Sequence, residues 1–289
     1  MTTREQWIAG ARPKTLPAAI APVLVGTSFA GYNATFLHTL LALIVALSLQ
    51  VGVNYANDYS DGIKGTDTDR VGPMRLVGSG AATPDAVKKA AFLSFFIASL
   101  AGLILASRTS WLLVALGAIC ILAAWTYTGG PKPYGYQALG EVSVFIFFGV
   151  VATVGTYYVQ TESVSREVLL ASFAMGALAC AILVLNNLRD LEKDQLSNKK
   201  TLAVVMGDKE TRNLYKWLMF FALVMSVALT FFSFYYLLAL ISLPLVSKSV
   251  RAVTSGASGS ALIDLLAKTG RIQIIYAVAL SFAAWLVAR

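Results

Sequence analysis

Histidine is nearly absent from this chain and cysteine is scarce: 289 residues hold one histidine and two cysteines. A lone His38 excludes a histidine metal cage and leaves a histidine general base without partners. Cys120 and Cys180 both fall in apolar runs, which argues against a disulfide or a thiolate site. Charge is also in short supply. Only 13% of residues are charged, about half the roughly 25% of soluble domains. Any chemistry must therefore rest on Asp, Asn, Lys, Arg and Tyr.

What is abundant is uninterrupted hydrophobicity. Uncharged runs cover 90–107, 109–131, 142–161, 168–188 and 272–288, and a longer one covers 15–57. A helix needs about 20 apolar residues to cross a hydrocarbon core of roughly 30 Å. Backbone in lipid must satisfy its own hydrogen bonds, so such runs are helices. The alternating strands of a membrane barrel are not there. The run 15–57 holds two spans with a turn at 31–33. The stretch 217–247 is long for one helix and slightly short for two, and charge bias decides between them, because cytoplasmic loops collect Lys and Arg. With two helices, all but three of the 23 basic residues share one side; Arg108, Arg166 and Arg289 are the exceptions.

The reading is an all-α membrane protein, a single domain over 1–289, with nine transmembrane helices near 15–32, 36–57, 90–107, 110–128, 140–160, 168–188, 212–230, 233–250 and 271–288. Eight spans with a buried re-entrant segment is the alternative. The N-terminus and the loops 58–89 and 189–211 are expected in the cytoplasm, the C-terminus outside. Trp7 suits a short interfacial helix. "ALIDLLAK", within 251–270, reads as a short helix on the same surface.

Two of these spans end in acid. "NDYSDGIKGTD" (57–67) closes the second, and "NNLRDLEKD" (186–194) closes the sixth. Steps of four residues link Asn57 to Asp61, and Asn186 to Asp190 to Asp194, so each set lies on one helix face. Two like charges 4 Å apart cost about 4 kcal/mol at an effective dielectric near 20, so a cation should hold them. Oxygen ligands without His or Cys suit a hard ion, Mg2+ or Ca2+. Lys64, Arg70, Arg75, Arg189, Lys193, Lys199 and Lys200 interleave with the acids. Carboxylate, Mg2+ and Lys/Arg together are what a diphosphate leaving group requires. Tyr127, Tyr134 and Tyr136 are available to line a pocket for an aromatic ring. Glu141, at the start of span five, is either structural or orients a substrate.

At these residues the chain resembles the UbiA superfamily of intramembrane polyprenyltransferases, whose first motif commonly reads NDxxDxxxD. Here Gly65 stands at the last acid and Asp67 follows. That spacing, with "ARPKTLPAAIAPVLVGT" (11–27), "GPMRLVGSG" (72–80) and "YTGGPKPYGYQALGEV" (127–142), resembles the branch that prenylates 1,4-dihydroxy-2-naphthoate. The resemblance implies a nine-helix UbiA-like bundle in the cytoplasmic membrane, with its active site on the cytoplasmic side. It implies Mg2+ held by Asn57, Asp61, Asp67, Asn186, Asp190 and Asp194, with Asp58 added to that set. Diphosphate contacts fall to Lys64, Lys132, Arg189 and Lys199, and the catalytic load to Asp61, Asp190 and Lys132. Contacts to the aromatic acceptor fall to Arg75, Tyr127, Tyr136 and Glu141. Asn198 stands where that branch often has glycine before the lysine, which bears on the backbone of that turn.

The implied reaction transfers a polyprenyl group from its diphosphate to the naphthoate, with loss of carbon dioxide. Other acceptors, 4-hydroxybenzoate or homogentisate, are the alternative within the family. A cation-coupled transporter is the alternative outside it. Transporters carry ionisable residues near the bilayer midplane on broken helices, whereas these acids sit at helix ends and the span centres are apolar. The expected partners are the two substrates and the lipid bilayer. The net charge of +8 suits an anionic inner leaflet and is no sign of nucleic-acid binding.

Overall fold

Long apolar runs have one way to satisfy their backbone in lipid, and nearly every run here takes it. A computed structural model describes residues 2–65 and 74–289. Ten helices follow one another. The first, α1 (Arg4–Ala11), is closed by a capping box between Thr3 and Gln6. Then come α2 (Pro17–Phe29), α3 (Phe36–Ile63), α4 (Pro84–Arg108) and α5 (Leu112–Thr126). The rest are α6 (Gly140–Thr161), α7 (Arg166–Leu196), α8 (Leu202–Phe231), α9 (Phe234–Thr254) and α10 (Ser260–Val287). Thr35, Thr83, Ser165 and Thr201 each accept a backbone N–H at the start of α3, α4, α7 and α8. Such caps satisfy donors that a helix start leaves open.

Among the described residues, seven helices are long and apolar enough to cross a membrane: α3, α4 and α6 to α10. The apolar helices α2 and α5 are shorter, 13 and 15 residues. The stretch 217–247 does hold two helices, parted at Phe232 and Ser233. The segment carrying "ALIDLLAK" is not a separate surface helix: it forms the first turns of α10, which runs on unbroken. No proline interrupts it, and Gly270 leaves room there for the N-terminal segment, since a Cβ on it would stand 3.2 Å from Pro17. Both acidic stretches lie further inside helix than the sequence suggested, because α3 continues to Ile63 and α7 to Leu196.

The axle of the bundle is α7, with 78% of its most apolar window buried. Ala171, Ala174, Ala177, Ala179 and Ala181 are among its buried residues, and small side chains let membrane helices approach closely. At the crossing with α6, Gly149 and Gly176 meet backbone to backbone. There α6 widens into a π-helical segment, Phe145–Val151. Gly207 (φ 80°) kinks α8 near its start, and the Thr211 hydroxyl donates to its carbonyl at 2.7 Å. One turn on, the Arg212 guanidinium donates to the carbonyls of Val253 and Ala257 at 2.6 and 2.9 Å, tying α8 to the end of α9.

The Gly149–Gly176 approach makes a stability prediction. Gly149→Ala puts a methyl group where the α7 backbone lies, and overpacking costs about 1–3 kcal/mol. Thermal unfolding in detergent should show a midpoint several degrees lower. Gly155→Ala, on the same helix with nothing within 4 Å of the new Cβ, should leave the midpoint unchanged.

Candidate active site

The C-terminal ends of α3 and α7 come together on one ammonium group. Lys199 Nζ lies 3.7 Å from Asp61 Oδ2 and 3.9 Å from Asp194 Oδ1. Asp61, Asp190 and Asp194 are only 3%, 7% and 7% exposed, and a carboxylate so buried is stable only with partners. The turn after α7 aims the lysine. Asn198 adopts φ 55°, the left-handed region that asparagine tolerates better than most residues, so glycine is not needed there. The Lys199 N–H donates to Asp194 O, and the Ala138 N–H donates to Lys200 O, both at 2.8 Å. The second contact ties this turn to the loop 127–139 between α5 and α6.

That loop supplies Tyr136, whose hydroxyl donates to Asp61 Oδ1 at 2.6 Å. Both Lys64 and Lys199 hold their ammonium groups over its ring, 4.9 and 5.1 Å from the centroid. Each such contact is worth about 0.5–2 kcal/mol, far less than a buried ion pair. Lys64 Nζ also donates to Thr128 O at 2.7 Å, and the Thr128 hydroxyl donates to Asn57 Oδ1 at 2.7 Å. Burial lowers the Lys64 pKa, Asp61 pulls it up and Lys199 pushes it further down. On α7, Arg189 forks onto the neighbouring Asp190 with bonds of 2.8 and 2.7 Å, and reaches Asn186 Oδ1 at 2.8 Å.

Some of these groups edge a cavity of about 560 Å³; Lys64, Tyr136, Arg189, Asp190 and Asp194 do not line it. Asn57, Asp61, Asn186 and Lys199 border its acidic end, while Val45, Leu103, Leu113, Phe148 and Leu183 form apolar walls further on. A second polar patch, of which sequence reading left out Arg12 and Gln50, borders it too. Asn54 Nδ2 donates to Ala11 O at 2.9 Å, Gln50 Nε2 donates to Thr15 Oγ1 at 3.2 Å, and Arg12 Nη2 reaches Asn54 O at 3.4 Å. Arg75 borders the cavity as well. The available signal was Gln50 and Asn54, one turn apart in an otherwise apolar helix, since polar groups inside a span mark functional cavities.

Other expected site residues stand elsewhere. Both Asp58 oxygens accept backbone N–H groups, from Leu76 at 2.8 Å and Val77 at 3.0 Å, and the residue is 0% exposed. It is tied to the segment entering α4 and does not border the cavity. Lys132 is exposed and likewise off the cavity wall. Tyr136 sits with the acids. Glu141 does not border the cavity; its Oε1 accepts a 3.0 Å bond from Asn187, which does. Tyr127 borders the cavity and meets Tyr134 edge-on at 5.4 Å. Asp67, with Asp69 and Arg70, lies outside the described residues.

The oxygen donors Asn57, Asp61, Asn186, Asp190 and Asp194 have the chemistry for Mg2+. Among the described residues no three His, Cys, Asp or Glu side chains form a ready cage. Mg2+ commonly takes one or two carboxylates and completes its shell with water and phosphate oxygens. The donor set therefore fits an ion shared with a bound diphosphate better than an ion held by protein alone.

Residues 19–261 match the UbiA prenyltransferase family. A 1,4-dihydroxy-2-naphthoate octaprenyltransferase of Mycobacterium tuberculosis is 49% identical over 97% of both chains. One of Escherichia coli is 38% identical over 92% of this chain and 90% of its own. Among solved structures, the apo form of a UbiA homolog from Aeropyrum pernix K1 superposes with a TM-score of 0.74 at 14% identity, covering 93% of this chain and 97% of that one. A UbiA homolog from Archaeoglobus fulgidus, bound to DMAPP and Mg2+, gives 0.68 at 14% identity, covering 97% and 99%. At such identity the structural likeness speaks for the fold alone.

The Lys199 bridge yields a prediction independent of turnover. Lys199→Met leaves Asp61 and Asp194 facing each other without that ammonium between them. The thermal midpoint should fall, and added Mg2+ should raise it more in the variant than in the parent. Lys199→Arg should keep the parent midpoint. A Lys199→Met protein with the parent's midpoint and no added response to Mg2+ would show that the bridge is electrostatically idle.

Proposed function

Since the chain belongs to the UbiA prenyltransferase family, we propose that it transfers a polyprenyl group from polyprenyl diphosphate to 1,4-dihydroxy-2-naphthoate, with decarboxylation to demethylmenaquinol. The observation that carries this is the meeting of two acidic helix ends on Lys199 at the mouth of an apolar cavity. The 49% and 38% identity, over nearly the whole chain, to relatives named for that activity supports the choice of acceptor. The chain acts as one domain, 1–289.

Asn57, Asp61, Asn186, Asp190 and Asp194, with Asp67 from the undescribed stretch, hold the metal. Bound Mg2+ supplies positive charge to the departing diphosphate. Lys64 and Lys199 turn from the Tyr136 ring to the diphosphate oxygens, where full negative charge outweighs a ring face. Arg189 orients Asp190 through its fork. Apolar walls keep water from the allylic carbon while its bond to oxygen breaks. The prenyl tail follows those walls. Arg12 and Arg75 hold the acceptor's carboxylate, and Tyr127 donates to a ring oxygen. The ring carbon that bears the carboxylate attacks the allylic carbon, and aromaticity returns by loss of CO2 instead of a proton. A site without histidine needs no strong base for that outcome. Asp58 holds the loop that carries Arg75.

In the bilayer, α2 to α10 make nine crossings, with α2 and α5 lengthened by their flanking turns. The N-terminus and the acidic helix ends face the cytoplasm, and the C-terminus lies outside. In a Cys120→Ala, Cys180→Ala background, a cysteine at Lys209 should be labelled only from the cytoplasm and one at Ser163 only from outside. Labelling of both from one side would overturn this topology.

The deciding assay gives purified protein Mg2+ and geranylgeranyl diphosphate, with carboxyl-labelled 1,4-dihydroxy-2-naphthoate or 4-hydroxybenzoate. Prenylation of the first alone is expected, with one labelled CO2 released per prenyl group. EDTA should abolish it, and Asp61→Asn should slow it on the order of a thousandfold. Label retained in a prenylated product would keep the family and refute the acceptor. No product with either acceptor, alongside metal-dependent uptake into vesicles, would move the chain to transport.

A further inference from the structure

Sequence reading put Tyr136 beside the aromatic acceptor; in the structure its side chain contacts Asp61, Lys64 and Lys199. We infer that Tyr136 is the positioning residue of the diphosphate end, holding Asp61 through its hydroxyl and two lysines through its ring face. The inference rests on the diphosphate reading above and adds a residue to it.

Among the described residues, this side chain meets Asp61 through a 2.6 Å bond and the ammonium groups of Lys64 and Lys199 at 4.9 and 5.1 Å. Two ammonium groups over one ring repel each other. Lys199 also answers Asp61 and Asp194, but the ring keeps it beside Lys64, so an entering anion meets two gathered cations. A carboxylate in place of the ring would neutralise the lysines and compete with phosphate for them. A π face attracts them weakly and adds no net charge, so it keeps them gathered and surrenders them to an entering diphosphate. The hydroxyl meanwhile engages Asp61 Oδ1 and leaves Oδ2 turned toward Lys199. One side chain thus sets the spacing between the lysines and a carboxylate expected to bind metal. The loop that carries it is pinned to the Lys199 turn through Ala138 and Lys200.

The two halves of the side chain can be removed separately. Tyr136→Phe keeps the ring and loses the bond to Asp61. Tyr136→Leu loses both. Thermal midpoints of the purified proteins are followed while Mg2+ and inorganic pyrophosphate are titrated, without acceptor and without turnover. For Tyr136→Phe the Mg2+ concentration giving half of the stabilisation should rise roughly tenfold, the change a charge-assisted hydrogen bond supports. Its pyrophosphate dependence at saturating Mg2+ should stay near that of the parent. For Tyr136→Leu the pyrophosphate requirement should rise roughly tenfold even at saturating Mg2+, as expected when both ring contacts go. In turnover, KM for geranylgeranyl diphosphate should follow the same order, and KM for the naphthoate should not move. A raised naphthoate KM with unchanged pyrophosphate response would overturn the inference and return Tyr136 to the acceptor. Parent-like titrations in both variants would overturn it as well. A parent protein that pyrophosphate and Mg2+ do not stabilise would fail earlier, at the diphosphate reading itself, and take the inference with it.

Discussion

Negative charge buried at the mouth of a membrane bundle needs an answer, and here the answer is Lys199 between Asp61 and Asp194. Those carboxylates come from helices far apart in the chain, α3 and α7. Without a cation they would push the two helix ends apart. With one they meet at a single point, and that point becomes the end of the cavity. The turn 197–201 exists to deliver the lysine. It uses a left-handed asparagine to reverse direction and borrows a backbone bond from the loop 127–139. Around this centre, charge is balanced locally: Arg189 forks onto Asp190, and Asp58 spends both oxygens on backbone N–H groups.

The cavity then divides into regions with different chemistry. One end is acidic and cationic together, suited to a metal-bound diphosphate. A second patch, around Arg12, Gln50, Asn54 and Arg75, is polar with cationic side chains and no carboxylate among these four. Between and beyond them the walls are aliphatic and aromatic. An amphiphilic donor and a flat anionic acceptor differ in these same ways, and a bundle in a bilayer can offer a long apolar tail a place without exposing it to water.

Rigidity comes from the other half of the molecule. The close approach of Gly149 to Gly176 and the run of alanines along α7 draw α6 and α7 together. Arg212 fastens α8 to the end of α9. Apart from Ala179, none of these residues borders the cavity, yet they hold the frame on which two helix ends can meet.

Much of this was legible without coordinates. Uncharged runs of membrane length settle the helical class, because lipid offers the backbone no other partner. The split near Phe232 followed from the distribution of Lys and Arg. The repeated four-residue steps at Asn57–Asp61 and Asn186–Asp190–Asp194 marked the donors, since that spacing puts side chains on one helix face. Other features depend on distance through space, which a chain position does not encode. Asp58 and Asp61 look equivalent in sequence, but they point different ways around the helix, so one caps a loop and the other edges the cavity. Tyr136 could have faced either substrate until the loop 127–139 was pinned to the turn at Lys200. Gln50 and Asn54 belong to a separate polar patch only because Thr15 and the Ala11 carbonyl come beside them. "ALIDLLAK" looked like a separate helix because its charges ended the apolar run, yet charge alone does not break a helix, and α10 runs through it. Local periodicity and net charge thus determined the elements and their chemistry. Only packing decided which of those groups share a cavity, because long-range contact depends on how helices cross, and that is set by side chains remote from the site.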